Sequence, residues 1–318
     1  MFSFSNNELL DLTFFQGGHF AIRTKKEAFA FCTTLANTHY ENFPVGSVLI
    51  PRDLRAHFYS VYAFSRLADD IADELPNTSA NEKRAALERL EALLFVHAPD
   101  ELQNPIFRAL HATMREKNIP PLPFQKLLQA FRMDSEFQQA RHWEELEYYC
   151  AHSANPVGEL VLRLYGIYSP TLAPLSDAVC TALQLTNFWQ DFSRDIPQGR
   201  IFIPQDILQE FGLSSEDIRH FHAAPETIST KIIENQFLPC FQLLFHKTKL
   251  YFADGSALLS HIADTRLRAE LALTISGGET VLKAAYNLGF RILHERPKLS
   301  KYTFPRVLWR AVRLFGAS

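Results

Sequence analysis

Phe58-Tyr-Ser-Val-Tyr-Ala-Phe-Ser-Arg-Leu-Ala-Asp-Asp-Ile-Ala-Asp-Glu74 is apolar and aromatic for most of its length and ends on three aspartates, Asp69, Asp70 and Asp73. At about 100° per residue, Tyr62, Arg66, Asp69 and Asp73 fall within roughly 60° of one another on a helix. Val61, Phe64, Ala68 and Ile71 take the opposite face. A helix apolar around most of its circumference belongs in a large core. Carboxylates carried there must be neutralised by cations or a metal, or else be protonated. The stretch predicts a buried helix, from about Arg52 to Glu74, with one charged stripe.

A second acidic stretch has the same design: Gln184-Leu-Thr-Asn187-Phe-Trp-Gln-Asp191-Phe-Ser-Arg194-Asp195. Gln184, Asn187, Asp191 and Asp195 share one stripe, within about 80° at helical spacing. Two carboxylates one turn apart, on each of two buried helices, suit Mg²⁺, with Mn²⁺ the alternative. Such ions take hard oxygen ligands and fill remaining positions with water and phosphate oxygens. The expected use is to hold a diphosphate leaving group. A single Asp-x-x-x-Asp pair is most often a solvated face. Here two pairs occur on apolar helices, each near an arginine, Arg66 and Arg194.

Phe43, Tyr62, Phe64, Phe188, Trp189 and Phe192 read first as core packing. They read second as the wall of an apolar cavity whose ring faces stabilise a carbocation. Arg200, in Gln198-Gly-Arg-Ile-Phe-Ile-Pro204, reads equally as a phosphate contact or a surface-loop arginine. His39 reads in the same two ways, as a site residue or a satisfied structural histidine.

The rest of the chain is consistent with an all-α protein. Only 12 of 318 residues are glycine, and prolines punctuate long Leu/Ala/Glu/Gln/Arg stretches. Residues 1–23 read as a lead-in, 24–300 as one helical domain and 301–318 as a basic amphipathic segment. Ser176–Arg194 is expected to be one helix, Pro239 to kink another, and Ala257–Ile275 and Glu279–Leu293 to be two further helices. A net charge of −3 gives no electrostatic footprint for nucleic acid. The four cysteines are far apart, with no Cys-x-x-Cys pair, which suits a reducing cytoplasm and not a zinc site or disulfide framework. No signal peptide is expected, since Met1-Phe-Ser-Phe-Ser lacks a basic start followed by an apolar run.

These residues resemble the squalene/phytoene synthase family, the head-to-head trans-prenyltransferases, over roughly His39 to Leu293. The resemblance rests on Tyr-Ala-Phe-Ser-Arg66 leading into Asp69-Asp-Ile-Ala-Asp73, and on Tyr149-Cys-Ala-His-Ser-Ala-Asn-Pro-Val-Gly158. It also rests on Leu183 to Asp195 followed by Gly199-Arg-Ile-Phe-Ile-Pro204. It implies the all-α isoprenoid synthase fold, a single helical domain around a central cavity that both acidic stretches face.

By motif matching, Asp69, Asp70, Asp73, Asp191 and Asp195 would bind Mg²⁺, and Gln184 and Asn187 would support the second metal site. Arg66 and Arg200 would contact diphosphate, Tyr149 would lie near the reacting carbons, and His39, Phe43 and Tyr62 would join the substrate site. Arg296 in His-Glu-Arg is a weaker match to an arginine many members keep. His39-Tyr-Glu-Asn-Phe-Pro-Val, Asn187-Phe-Trp-Gln-Asp191 and Arg296-Pro-Lys-Leu-Ser300 look most like a bacterial branch, the hydroxysqualene synthases of the hopanoid route. That branch ionises presqualene diphosphate, lets the cation rearrange and quenches it with water. No glycine-rich dinucleotide fingerprint follows a strand, so no NADPH is expected.

Two alternatives stay open. One is condensation of two farnesyl diphosphates to presqualene diphosphate, squalene or dehydrosqualene; the other is a non-catalytic binding or assembly protein, against which five clustered acids argue. Arg306, Arg310 and Arg313 share one side of the C-terminal segment, with Leu308, Trp309, Val312 and Phe315 over the rest. It reads either as a helix packed on the body or as an interfacial helix at the inner membrane. Other enzymes of the squalene pathway are possible partners.

Overall fold

A computed structural model describes residues 11–38, 49–73, 78–97, 101–298 and 303–317. It is helical throughout, with no strand among the described residues. The chain divides into two compact units, Met1–Glu136 with Glu159–Tyr168, and Phe137–Gly158 with Ser169–Ser318.

The first unit carries α1 (Lys25–Thr38), α2 (Arg52–Asp73), α3 (Ala80–Leu93), α4 (Pro105–Glu116) and α5 (Leu122–Ser135). α2 is its centre and packs against the other four. Its apolar face is sealed: Phe64, Leu67, Ala68 and Ile71 are fully buried. The Phe64 ring meets Phe107 of α4 and Phe124 of α5 edge-on, at 5.9 and 5.3 Å between centroids, the geometry that ring quadrupoles prefer. Polar groups on the same face are satisfied. His57 Nδ1 lies 3.0 Å from Thr113 Oγ1, and Ser60 Oγ lies 2.7 Å from the same hydroxyl. α3 starts on a capping box between Ser79 and Glu82, read in the sequence as Ser-x-x-Glu. Lys83 Nζ then donates to the Ala72 carbonyl at 2.5 Å, tying α3 to the end of α2.

The second unit is built on α6 (Trp143–Ser153), the start of α7 (Asn155–Leu164), α8 (Ala173–Gln190), α9 (Leu238–Ser256), α10 (Thr265–Leu288) and α11 (Phe304–Ala317). α8 packs on α6, α9 and α10. Trp189 Nε1 donates to Thr248 Oγ1 of α9 at 2.8 Å, so the buried indole keeps its hydrogen bond.

Three boundaries differ from expectation. The predicted Ser176–Arg194 helix ends at Gln190; Asp191 turns at φ −101°, ψ 10°, and a single turn, Phe192–Asp195, follows. The effect of Pro239 lies upstream of it, where Ile233–Phe237 widens into a π turn before α9 begins. Proline has no N–H for the carbonyl four residues back and its ring crowds that carbonyl, so the preceding turn opens. Gly277-Gly278 does not break α10. A Cβ at Gly278 would lie 2.6 Å from Leu183 Cδ2 and 2.8 Å from Phe252 Cζ, so the glycine admits two neighbouring helices instead.

Candidate active site

In the first unit the charged stripe of α2 forms as a set of local ion pairs. Arg66 Nη2 lies 2.5 Å from Asp70 Oδ1, one turn on, and Arg66 Nη1 lies 3.8 Å from Asp69 Oδ2. Arg66 and Asp70 are largely buried, whereas the Asp69 carboxylate is 44% exposed. Asp70, which the stripe geometry left to one side, is thus the acid held most closely by Arg66. Tyr62 stands one turn before Arg66. Its burial pushes the phenol pKa up; the Arg66 charge opposes this, while Asp70 and Asp69 add to it. Asp73 closes α2, and its side chain lies outside what is described. His39 and Phe43 also lie outside the described residues.

In the second unit the site is built around the turn at Asp191. Its backbone lies in the sparsely populated bridge region between helix and strand. Asp191 N–H still donates to the Asn187 carbonyl at 3.0 Å, and Asp195 N–H to the Asp191 carbonyl at 2.9 Å. The two acids therefore stay one turn apart across the break. A 3₁₀ turn, Ile196–Gln198, ends at Gly199 with φ 79°, which glycine adopts without strain. That reversal brings Arg200 N–H onto the Asp195 carbonyl at 2.9 Å.

Arg296 completes the group: its Nε lies 2.6 Å from Asp191 Oδ1 and its Nη2 donates to Asp191 Oδ2 at 3.3 Å. The shorter contact is close in distance but lacks hydrogen-bond alignment, so buried Asp191 Oδ1 accepts no directed bond. The Asp195 carboxyl is pushed up to about 6, first by burial and then by the Asp191 charge, against the opposing pull of Arg200, Arg194 and Arg296. Gln184 is half-buried and Asn187 exposed on α8.

Aromatic side chains gather in the same unit. Phe188 and Phe202 stack at 3.9 Å and 10°, and the Tyr149 ring lies 5.7 and 6.2 Å from them. Phe202 belongs to the Gly199–Pro204 stretch, two residues after Arg200, and carries no sequence signal beyond that motif. Arg296 was the other understated residue. The structure brings together Tyr62, Arg66, Asp69 and Asp70 on α2, and Asp191, Asp195, Arg200 and Arg296 in the second unit.

Among the described residues no group of three or more His, Cys, Asp or Glu side chains is assembled closely enough to hold a metal. The donors present nevertheless fit a hard divalent ion. They are carboxylate oxygens, one of them buried and without a directed hydrogen bond. A neighbouring acid is held partly against ionisation by burial and like charge, a cost that a cation removes.

A model of the squalene/phytoene synthase family matches residues 36–303. The hydroxysqualene synthase of Sinorhizobium fredii is 34% identical over 245 residues, which are 76% of this chain and 78% of that protein. The hydroxysqualene synthase of Rhodopseudomonas palustris is 32% identical over 278 residues, 87% of each chain. Among solved structures, squalene synthase HpnC from Alicyclobacillus acidocaldarius is 38% identical, with a TM-score of 0.74 over 84% of this chain and 95% of that one. A dehydrosqualene synthase structure, 23% identical with a TM-score of 0.76 over 92% of this chain and 98% of that one, bears on the fold alone. With the family match spanning both acidic stretches, the Tyr149 segment and Arg200, the chain belongs to the squalene/phytoene synthase family and is an enzyme of the all-α isoprenoid synthase fold.

Proposed function

We propose that the chain converts presqualene diphosphate to hydroxysqualene in squalene and hopanoid synthesis, using Mg²⁺ and no NADPH. The observation that carries this reading is the cluster of Asp191 and Asp195 with Arg200 and Arg296, an arrangement of acids and guanidinium groups suited to a metal diphosphate. Relatives named hydroxysqualene synthase, similar over most of the chain, supply the product.

Asp69, Asp70 and Asp73, and Asp191 and Asp195, are the residues that would hold Mg²⁺, with Gln184 and Asn187 in support of the latter pair. The ion supplies neutralisation of the charge that builds on the departing diphosphate. Arg66 and Arg200 bind diphosphate oxygens. Arg296 holds the Asp191 carboxylate, and with a cation on that carboxylate its guanidinium would be left to the same diphosphate oxygens. The carbon–oxygen bond breaks and diphosphate leaves with the electron pair. Tyr149, Phe188 and Phe202 present ring faces to the cation and exclude bulk water while it rearranges. One water then forms the new carbon–oxygen bond and gives its proton to solvent. His39, Phe43 and Tyr62 complete the substrate site.

The second reading, condensation of two farnesyl diphosphates, is favoured by the relative named squalene synthase. Purified protein with Mg²⁺ and each diphosphate, with and without NADPH, separates the two. Hydroxysqualene from presqualene diphosphate alone is expected. Farnesyl diphosphate consumed to presqualene diphosphate, or squalene formed only with NADPH, would overturn it.

No described helix is long and apolar enough to cross a membrane. We propose peripheral contact with the inner membrane through residues 301–318, where substrate and product partition, and pathway enzymes at that surface as neighbours. Recovery of the protein with membranes is expected to fall when residues 303–318 are deleted.

A further inference from the structure

The C-terminal helix and the cavity beside it carry more chemistry than the reaction uses. α11 is fastened to α10 along one side. Ala311 is buried, Ser276 Oγ donates to the Val307 carbonyl at 2.8 Å, and the Arg268 guanidinium lies 4.4 Å from the Phe315 ring. The other side is exposed and apolar. Phe304, Leu308, Trp309 and Val312 are 66%, 46%, 62% and 61% accessible, four large hydrophobic side chains on a helix of 14 residues. Phe304, Leu308 and Val312 follow at one turn each, with Trp309 alongside. Arg306, Arg310 and Arg313 border the row on one edge, and Arg313 stacks on Trp309 at 4.7 Å.

Arg310 also reaches a cavity of about 610 Å³ between α9, α10 and α11. Lys249 and Lys283 line it with Arg310, over a wall that includes Phe245 and Tyr286. Glu279 holds Arg310 in place, with Nη2 2.6 Å from its carboxylate. Burial raises the Glu279 pKa, and the Arg310 and then the Lys249 charge oppose the rise, so the one carboxylate in the cavity wall is outnumbered by cations.

We infer that α11 lies in the headgroup region of an anionic bilayer and that this cavity takes the phosphate of one anionic phospholipid. The inference deepens, and rests on, the peripheral membrane contact proposed above. An apolar row edged by arginines, with a tryptophan at its border, matches a surface that is apolar within and negative at its boundary. Lys249 and Lys283 supply positive charge in the cavity that Arg310, on the basic edge of that row, also lines, which a bilayer phosphate answers and an apolar protein partner does not.

The test is sedimentation of the full-length protein with phosphatidylcholine vesicles and with mixed phosphatidylcholine–phosphatidylglycerol vesicles. Trp309 emission is followed in parallel, because Trp143 and Trp189 are buried. Expected are tighter binding to the mixed vesicles, a blue shift, and weakening with salt. Lys249→Gln with Lys283→Gln should lose about 25-fold of the anionic preference, at about fivefold per charge. Leu308→Ser with Val312→Ser should abolish binding to both vesicles while leaving turnover in detergent unchanged. Equal binding to both vesicles, untouched by the lysine pair, would overturn the headgroup site and leave the membrane contact standing. Binding to neither would overturn both. Should the Leu308, Val312 variant instead turn a dimer into a monomer, the face belongs to a second copy and the inference fails.

Discussion

Arg296 reaches back across 105 residues of chain to Asp191, and that pairing sets the character of the second acidic group. The guanidinium occupies the largely buried Asp191 carboxylate, the position a cation would take. Asp191→Asn removes that anion with little change in shape, and turnover is expected to fall about a hundredfold or more, with Asp69→Asn falling likewise. Unchanged turnover in both would remove the catalytic role. Arg296→Lys keeps the charge but not the planar fork, so it should retain part of the activity that Arg296→Ala loses.

A second residue couples stability to pH. Burial lowers the His57 pKa below its usual 6.5; Lys117 adds to the effect, Glu116 opposes it, Lys25 adds and Asp53 opposes. Below pH 6.5 the unfolded chain therefore takes up a proton more readily than the folded one, and stability drops as pH falls through that range. Urea midpoints between about pH 7.5 and about pH 5.5 should decline in the wild type and decline less in His57→Gln.

The acids were legible in the sequence because their one-turn spacing is a local pattern. The Asp191–Arg296 pair was not, because nothing local announces a partner so far along the chain. Asp70 as the acid closest to Arg66 was legible only as an i,i+4 spacing, beside a stripe that favoured Asp69.

At the scale of elements, α2 was readable almost to its ends, since apolar periodicity and the aspartates after it both mark its course. Its stability rests on Phe64 between Phe107 and Phe124. Phe64→Ala is expected to cost about 3–5 kcal/mol in chemical denaturation, through lost burial and the cavity left behind. α10 was misread as two helices because glycine is usually a breaker; what Gly278 provides is close approach to Leu183 and Phe252, a tertiary fact. Gly278→Val should therefore cost about 1–3 kcal/mol by overpacking, although valine suits an exposed helix better than glycine does. The turn at Asp191 also escaped the pattern. A helical stripe drawn through Gln184, Asn187, Asp191 and Asp195 gives the right neighbours, and only the backbone departs from it.

For the whole molecule, composition and proline punctuation indicated an all-α chain, and family membership follows from a match over residues 36–303. Product identity depends on something no single helix encodes: whether the rearranged cation meets water or a hydride. In either proposed reaction the acids and arginines would handle diphosphate and the aromatic walls would shelter the cation. In the proposed reaction water ends the sequence. Presqualene diphosphate turned over with Mg²⁺ in heavy-oxygen water, without NADPH, tests this directly by mass spectrometry of the lipid product. One labelled oxygen in hydroxysqualene is the predicted result, and an unlabelled hydrocarbon, or no turnover until NADPH is added, would contradict it.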